Sequence, residues 1–78
     1  MREKRSLTLH GHRTSVALEP EFWAVIDRAA QLQNQSLAGL LTDIDDARVM
    51  SRSRRGLAAY LRVWVLDYVQ TTQGVMSP

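Results

Sequence analysis

The sequence has no cysteine and only two histidines among its 78 residues. Disulfide bonds and thiolate metal sites are therefore excluded, and two histidines are too few for a closed structural zinc site. A chain this short buries little of its surface, about 60% for a 60-residue domain, and usually needs disulfides, a metal or oligomerisation to be stable. Oligomerisation remains, and the hydrophobic content of 45% can supply an interface.

Long hydrophobic runs are also absent. Apolar runs such as Val63 to Leu66 are far shorter than the roughly 20 residues of a membrane span. The basic residues 1–5 are not followed by an apolar stretch of signal-peptide length. We therefore predict a soluble, cytoplasmic protein with no membrane association.

The sequence lacks the motifs of common enzymes. It has no cysteine nucleophile, no glycine-rich phosphate loop and no metal-binding helix motif. The spacing of His10, Ser15 and Asp27 does not support a catalytic triad. We predict that the protein is not an enzyme and needs no cofactor.

The two histidines lie close together, in the segment His10-Gly11-His12. In an extended segment they point to the same side and can chelate a divalent ion, although two ligands without a carboxylate bind weakly. In the other interpretation this segment is a turn whose histidines face solvent or phosphate. We assign no metal ligand, and the sequence does not decide between the two.

Charge is unevenly distributed along the chain. Residues 1–15 carry a net charge of +3, residues 16–50 carry −4, and residues 51–78 carry +3. A basic start and a second basic cluster therefore flank an acidic middle. Such asymmetry is compatible with an anionic partner and equally with ordinary solvated surface charge.

One short segment has the alternating pattern of a β-strand, over 13–18. Thr14, Val16 and Leu18 form its apolar face, and the other face carries Arg13, Ser15 and Ala17. A lone strand needs a partner for its backbone groups. That partner is either residues 7–9, paired as a hairpin across 10–12, or the same strand of a second chain. Residues 1–6 are predicted to be a flexible arm.

Three helices are predicted after the strand. The first covers 20–32 and begins at Pro20, a residue suited to the first helical position. The second covers 36–46 with Ser36 as N-cap, and the third covers 54–70, before a tail at 71–78. Because the third helix is apolar on almost all sides, we place it at a subunit interface.

Two copies of the strand can pair into an antiparallel ribbon that fits the DNA major groove. Arg13 is able to bind guanine in bidentate fashion, Ser15 to contact any base, and Ala17 to touch a thymine methyl group. An ordinary exposed strand face is the alternative.

The segment Gly11 to Trp23, GHRTSVALEPEFW, resembles the opening motif of a ribbon-helix-helix family found in alphaproteobacteria. Ser36-Leu37-Ala38 and the segment Leu61 to Leu66 extend the resemblance over roughly residues 4–70. The resemblance implies an obligate dimer, DNA binding by paired strands and a regulatory role. By position it places Arg13, Ser15 and Ala17 in the groove and implies that the backbone N–H groups of Ser36 and Leu37 clamp a phosphate. The sequence departs from the family pattern at Ala17, at Asn34 and in having a third helix.

The predicted fold is therefore a mostly α ribbon-helix-helix homodimer, intertwined through a two-stranded antiparallel intermolecular ribbon and extended by a C-terminal helix. The predicted function is sequence-specific binding of double-stranded DNA as a transcriptional regulator. The alternative is a dimeric protein-interaction module that uses the third helix or the acidic middle. The predicted DNA-binding residues are Arg2, Lys4, Arg5, Arg13, Ser15, Ala17, Ser36 and Leu37. The predicted dimer core is Val16, Leu18, Phe22, Ile26, Leu40, Leu61 and Trp64.

Overall fold

Two β-strands precede three helices in the computed structural model, which describes residues 1–74. The strands are β1 (Glu3–Leu9) and β2 (His12–Leu18), and the helices are α1 (Pro20–Leu32), α2 (Leu37–Met50) and α3 (Leu57–Gly74). The predicted tail lies partly outside the described residues. Within those residues, no helix is long and apolar enough to cross a membrane.

The strands β1 and β2 form an antiparallel hairpin whose pairs run from Glu3↔Leu18 at the open end to Leu9↔His12 at the turn. His10 and Gly11 make the turn, with φ of 54° and 77°. Two consecutive positive φ values are typical of the type I′ turn, whose twist matches that of paired strands. The strand over 13–18 is thus paired within one chain, which is one of the two predicted partners, and its pairing with a second copy stays a prediction.

The prediction of a flexible arm over 1–6 is wrong, because β1 begins at Glu3. Two contacts from α1 fix the start of this strand. The indole Nε1 of Trp23 donates a hydrogen bond of 2.8 Å to the carbonyl oxygen of Glu3. The guanidinium of Arg5 binds the carboxylate of Asp27, with Nη1 2.9 Å from Oδ1. A polar sequence is therefore ordered as a strand by residues about 20 positions away.

The ends of the helices differ in part from the predicted ones. Asn34 takes a left-handed conformation after α1, with φ of 55°, as expected of Asn beyond a helix C-terminus. The second helix continues to Met50 instead of ending at 46. Asp45 and Asp46 do not end it, because Arg48 binds Asp45 at 2.9 Å and His10 contacts Asp46 at 2.7 Å. The third helix begins at Leu57, not at 54, after a hydrogen-bonded loop.

The hydrophobic core lies between the inner face of the hairpin and the three helices. Its largest side chains with almost no exposure are Trp23, Leu18, Ile26, Leu41 and Leu61. Of the seven residues predicted for a dimer core, five are buried inside a single chain, namely Val16, Leu18, Ile26, Leu40 and Leu61. Their burial therefore requires no second subunit.

The remaining two residues of that predicted core, Phe22 and Trp64, are only partly buried in the single chain. The third helix is buried in part by its own chain, and its place at a subunit interface stays a prediction. Leu61 and Val65 lie in the core, whereas Leu66 is 54% exposed. A second subunit would have apolar surface of α1 and α3 left to cover.

Candidate nucleic-acid interface

The outer face of the hairpin carries mostly polar side chains, and we call it the ribbon face. Cross-strand partners in an antiparallel pair project from the same side of the sheet. The ribbon face therefore consists of the pairs Lys4↔Ala17, Ser6↔Ser15 and Thr8↔Arg13. The hydroxyl oxygens of Ser6 and Ser15 lie 3.2 Å apart, as expected for directly opposed partners. Ala17 is partly buried, and the other five side chains are exposed.

The ribbon face carries two positive charges that nothing neutralises. Neither Lys4 nor Arg13 takes part in an ion pair or a side-chain hydrogen bond with any residue that the structure describes. Both side chains are exposed. A cation that binds no protein group keeps its hydrogen-bond donors available for an anion or for the acceptor edge of a base.

We predicted that Lys4 and Arg5 lie on a flexible arm, but both belong to β1. They differ in whether their charged groups are free to bind a ligand. Lys4 belongs to the ribbon face, whereas Arg5 is paired with Val16 and lies on the inner side of the sheet. There the hydrogen bonds and charges of Asp27 and Glu3 raise the pKa of Arg5, with Asp27 contributing most. Its guanidinium also lies 4.5 Å from the centre of the Trp23 ring, within cation–π distance. Arg5 is therefore occupied in holding the hairpin on α1.

The turn of the hairpin is fixed to α2 through His10. Its Nε2 lies 2.7 Å from Oδ1 of Asp46. The second histidine, His12, is exposed and stands opposite Leu9 at the start of β2. Among residues 1–74 no group of three or more His, Cys, Asp or Glu side chains is arranged to hold a metal ion. In the structure His10 thus connects two elements.

The N-terminus of α2 has the capping geometry that the sequence indicates. The hydroxyl of Ser36 accepts a hydrogen bond of 3.0 Å from the backbone N–H of Gly39. The first N–H groups of a helix, here those of Leu37 and Ala38, have no acceptor within the helix. Ser36 is exposed, and Leu37 is partly exposed. These N–H groups, and the exposed side chain of Arg2 ahead of β1, remain available to an anion.

Sequence reasoning missed Ser6 and Thr8, which the hairpin brings onto the ribbon face beside Ser15 and Arg13. A signal was present, because Lys4, Ser6 and Thr8 alternate with the more apolar Leu7 and Leu9. This period of two continues the strand pattern toward the N-terminus. Interpreting residues 1–6 as an arm hid the pattern.

Comparisons with known proteins agree with this arrangement. The family model described as "Ribbon-helix-helix domain" matches residues 2–69. A solved structure of an uncharacterized protein from Bordetella pertussis Tohama I is similar at 32% sequence identity, with a TM-score of 0.78. The similarity covers 95% of this chain but 61% of that one, so this chain spans less than two thirds of its neighbour's length.

Among curated proteins none matches the sequence. Ribbon-helix-helix folds generally dimerise, bind DNA and serve as regulators, not as enzymes. The family match includes both strands, the first two helices and most of the third. This chain therefore belongs to the ribbon-helix-helix domain family.

Proposed function

We propose that this protein is a cytoplasmic homodimer that binds double-stranded DNA sequence-specifically and regulates transcription, with the ribbon face in the major groove. The observation that carries the proposal is the pair of unneutralised cations, Lys4 and Arg13, on the exposed face of a two-stranded ribbon. The major groove admits such a ribbon and presents a distinct donor and acceptor pattern for each base pair. Membership of a family of DNA-binding folds supports the same conclusion.

Arg13 has the principal role in base recognition. Its planar guanidinium matches the two acceptors of guanine and can bind both of them. Lys4 is the other cation on the ribbon face, but its ammonium is a point charge and matches the two acceptors less well. Ser15 contacts bases of either kind through its hydroxyl group, and Ala17 contacts a thymine methyl group. Anchoring of the hairpin by Arg5 and Trp23 supports this role, because a strand already held on α1 needs little rearrangement of its backbone on binding.

The homodimer is proposed to form through the free edge of β2. In the two-stranded sheet β1 covers one edge of β2, and the other edge has no strand partner among the described residues. An open strand edge is a template for pairing with another chain. A second copy paired there would align two ribbon faces, and we propose that it also covers Phe22 and Trp64, which are only partly buried in the single chain.

Further contacts to phosphate are assigned to groups outside the ribbon face. Arg2 is exposed just before β1, and the free N–H groups at Ser36 and Leu37 have the donor geometry and dipole that favour an anion. Phosphate contacts fix the register of a protein on the duplex without reading sequence. Arg5 is not included, because Asp27 and Glu3 bind its guanidinium.

The test is selection of bound sites from random duplex DNA, followed by measurements on Arg13→Ala and Arg28→Ala. Arg28 is a matched control, because it is exposed, belongs to α1 and has no ion pair within residues 1–74. Arg13→Ala is expected to weaken binding to the selected site by about 1–3 kcal/mol and to relax preference at one position. Arg28→Ala is expected to leave that preference unchanged. If the wild type binds no duplex at low salt, or if Arg13→Ala binds like the control, the proposal fails.

A second candidate function, a dimeric protein-interaction module, is favoured by one feature of α3. The rings of Trp64 and Tyr68 stack with centroids 5.1 Å apart and line an open groove of about 340 Å³ together with Asp67 and Thr71. The acidic middle is a weaker candidate surface, because Asp43, Asp45 and Asp46 already bind side chains of this chain. Apolar docking is insensitive to salt, whereas phosphate binding weakens steeply with it, so a salt titration separates the two functions.

A further inference from the structure

The loop between α2 and α3, residues 51–56, carries a cluster of positive charge that the ribbon face does not explain. Arg52, Arg54 and Arg55 are all exposed. None of their guanidinium groups forms an ion pair or a hydrogen bond with another residue in the described part of the chain. Three like charges within four positions repel one another, and a polyanion relieves that repulsion. We call residues 51–56 the basic loop.

The backbone of the basic loop is held in place by Arg48. The Nη1 of Arg48 donates a hydrogen bond of 3.2 Å to the carbonyl oxygen of Arg55, and its own carbonyl oxygen accepts one of 3.2 Å from the N–H of Ser53. Within the loop, the N–H of Arg55 donates to the hydroxyl of Ser53 at 3.2 Å. Asp45 in turn fixes the guanidinium of Arg48. The three free guanidinium groups therefore project from an ordered turn.

The basic loop lies at the same end of the molecule as the turn of the hairpin. The contact between His10 and Asp46 joins that turn to the last part of α2. Ser51 follows Asp46 by five residues, which is about 7 Å along a helix axis. Arg13, the second residue of β2, stands at this end of the ribbon face as well. Arg13 and the basic loop therefore both lie toward the turn end of the hairpin.

We propose that the basic loop binds the phosphate backbone of the duplex whose groove the ribbon face enters, and this inference rests on the proposed function. Arginine suits the task, because its planar guanidinium binds phosphate oxygens in bidentate fashion. The contacts add affinity and position the protein without reading bases. In this proposal the loop that leads to α3 supplies a phosphate contact separate from the one at the N-terminus of α2.

The experiment compares the full chain carrying Arg54→Gln and Arg55→Gln with the chain carrying Arg28→Gln. Affinity is measured against salt concentration on a selected duplex and on a random one. The double variant leaves Arg52 in place, because Arg52 has a left-handed φ of 56° and its substitution would also change the backbone preference. A thermal melt checks that each variant is as stable as the wild type.

The double variant is expected to weaken binding to both duplexes by the same factor. The slope of log affinity against log salt should decrease by about 0.9 for each phosphate that the loop no longer neutralises. The base preference read by Arg13 should remain. Arg28→Gln should leave the slope within error of the wild type.

Two results overturn the inference while the proposed function stands. In one, the double variant has the salt slope of Arg28→Gln although Arg13→Ala still relaxes base preference. In the other, the double variant has reduced affinity for the selected duplex only, which would make the loop a reader of bases. If the wild type binds neither duplex at low salt, the proposed function and this inference fail together.

Discussion

Arg5 and Asp27 form a two-point ion pair that joins β1 to α1 across 22 positions of the sequence. The distances are 2.9 Å from Nη1 to Oδ1 and 3.1 Å from Nη2 to Oδ2. The same guanidinium covers the Trp23 ring, whose indole N–H reaches the backbone of Glu3. One cluster of side chains thus sets the position of the ribbon relative to the helices.

Replacing Asp27 by Asn should destabilise the protein by about 0.5–1 kcal/mol. The side chains of Arg5 and Asp27 are 28% and 41% exposed, so solvent screening keeps the effect within the range of surface pairs, and the two-point geometry places it in the upper part. Urea unfolding provides the measurement. Asp67→Asn, on the exposed surface of α3, is the control and should change stability by less than about 0.5 kcal/mol. Equal effects of the two substitutions would show that the ion pair contributes nothing.

The hairpin turn should be sensitive to Gly11→Ala. Gly11 has φ of 77°, and although a Cβ there would meet no atom within 4 Å, the left-handed backbone costs an L-residue about 1–2 kcal/mol. Gly56→Ala is the matched control, because Gly56 is equally open and its φ lies outside that region. Alanine there should be neutral or stabilise by up to about 1 kcal/mol. Thermal melts of the two variants should therefore shift in different directions, and a destabilisation at Gly56 as large as that at Gly11 would contradict the assignment of strain.

Leu18→Ala and Trp64→Ala should differ in kind. Leu18 is fully buried within one chain, and truncating it should cost about 2–5 kcal/mol. Trp64 is partly buried, so Trp64→Ala should mainly weaken the proposed dimer. Sedimentation over a range of concentrations, combined with urea unfolding, distinguishes the outcomes. Wild-type association by the Trp64 variant would remove this side chain from the interface.

The ion pair of Glu19 with Arg62 should make stability depend on pH in the acid range. Arg62 Nε donates to Glu19 at 3.0 Å, and this bond lowers the pKa of the carboxyl below its ordinary value of 4.5. Because the pKa is lower in the folded state, the stabilisation is present above the ordinary pKa and is lost as pH falls through the folded value. As the pH is lowered from about 6 to 3, the melting temperature should therefore decrease more steeply in the wild type than in Arg62→Met. Parallel profiles would mean that the pair does not affect folding.

The sequence was sufficient for the elements whose signals are local. The alternation of Val16 and Leu18, Pro20 at the start of α1 and Ser36 at the start of α2 each act within a few residues. The first strand was missed because its order depends on Trp23 and Asp27, which are distant in sequence. The end of α2 was misplaced for a similar reason, since partners of Asp45 and Asp46 offset an unfavourable charge at a helix C-terminus.

The hairpin places Lys4 and Arg13 on one face but on different strands, an arrangement that we did not predict from the sequence. On the ribbon face Lys4 belongs to β1 and Arg13 to β2. From the sequence we placed Arg2, Lys4 and Arg5 together on one flexible arm. In the structure each of the three has a different environment, because the strand period of two assigns successive residues to opposite sides.

A dimer joined through the free edges of β2 would be a sheet of four strands, with the two copies of β1 outermost. Neighbouring strands lie about 4.8 Å apart, so the outer strands would be about 14 Å from each other, which exceeds the major-groove width of about 12 Å. Only the central pair then fits between the walls of the groove. Lys4, Ser6 and Thr8, carried by β1, would lie over the groove's rims, where the sugar–phosphate chains run. In the proposed dimer the inner strands would therefore contact bases, and the outer strands would contact the sugar–phosphate backbone on both sides of the groove.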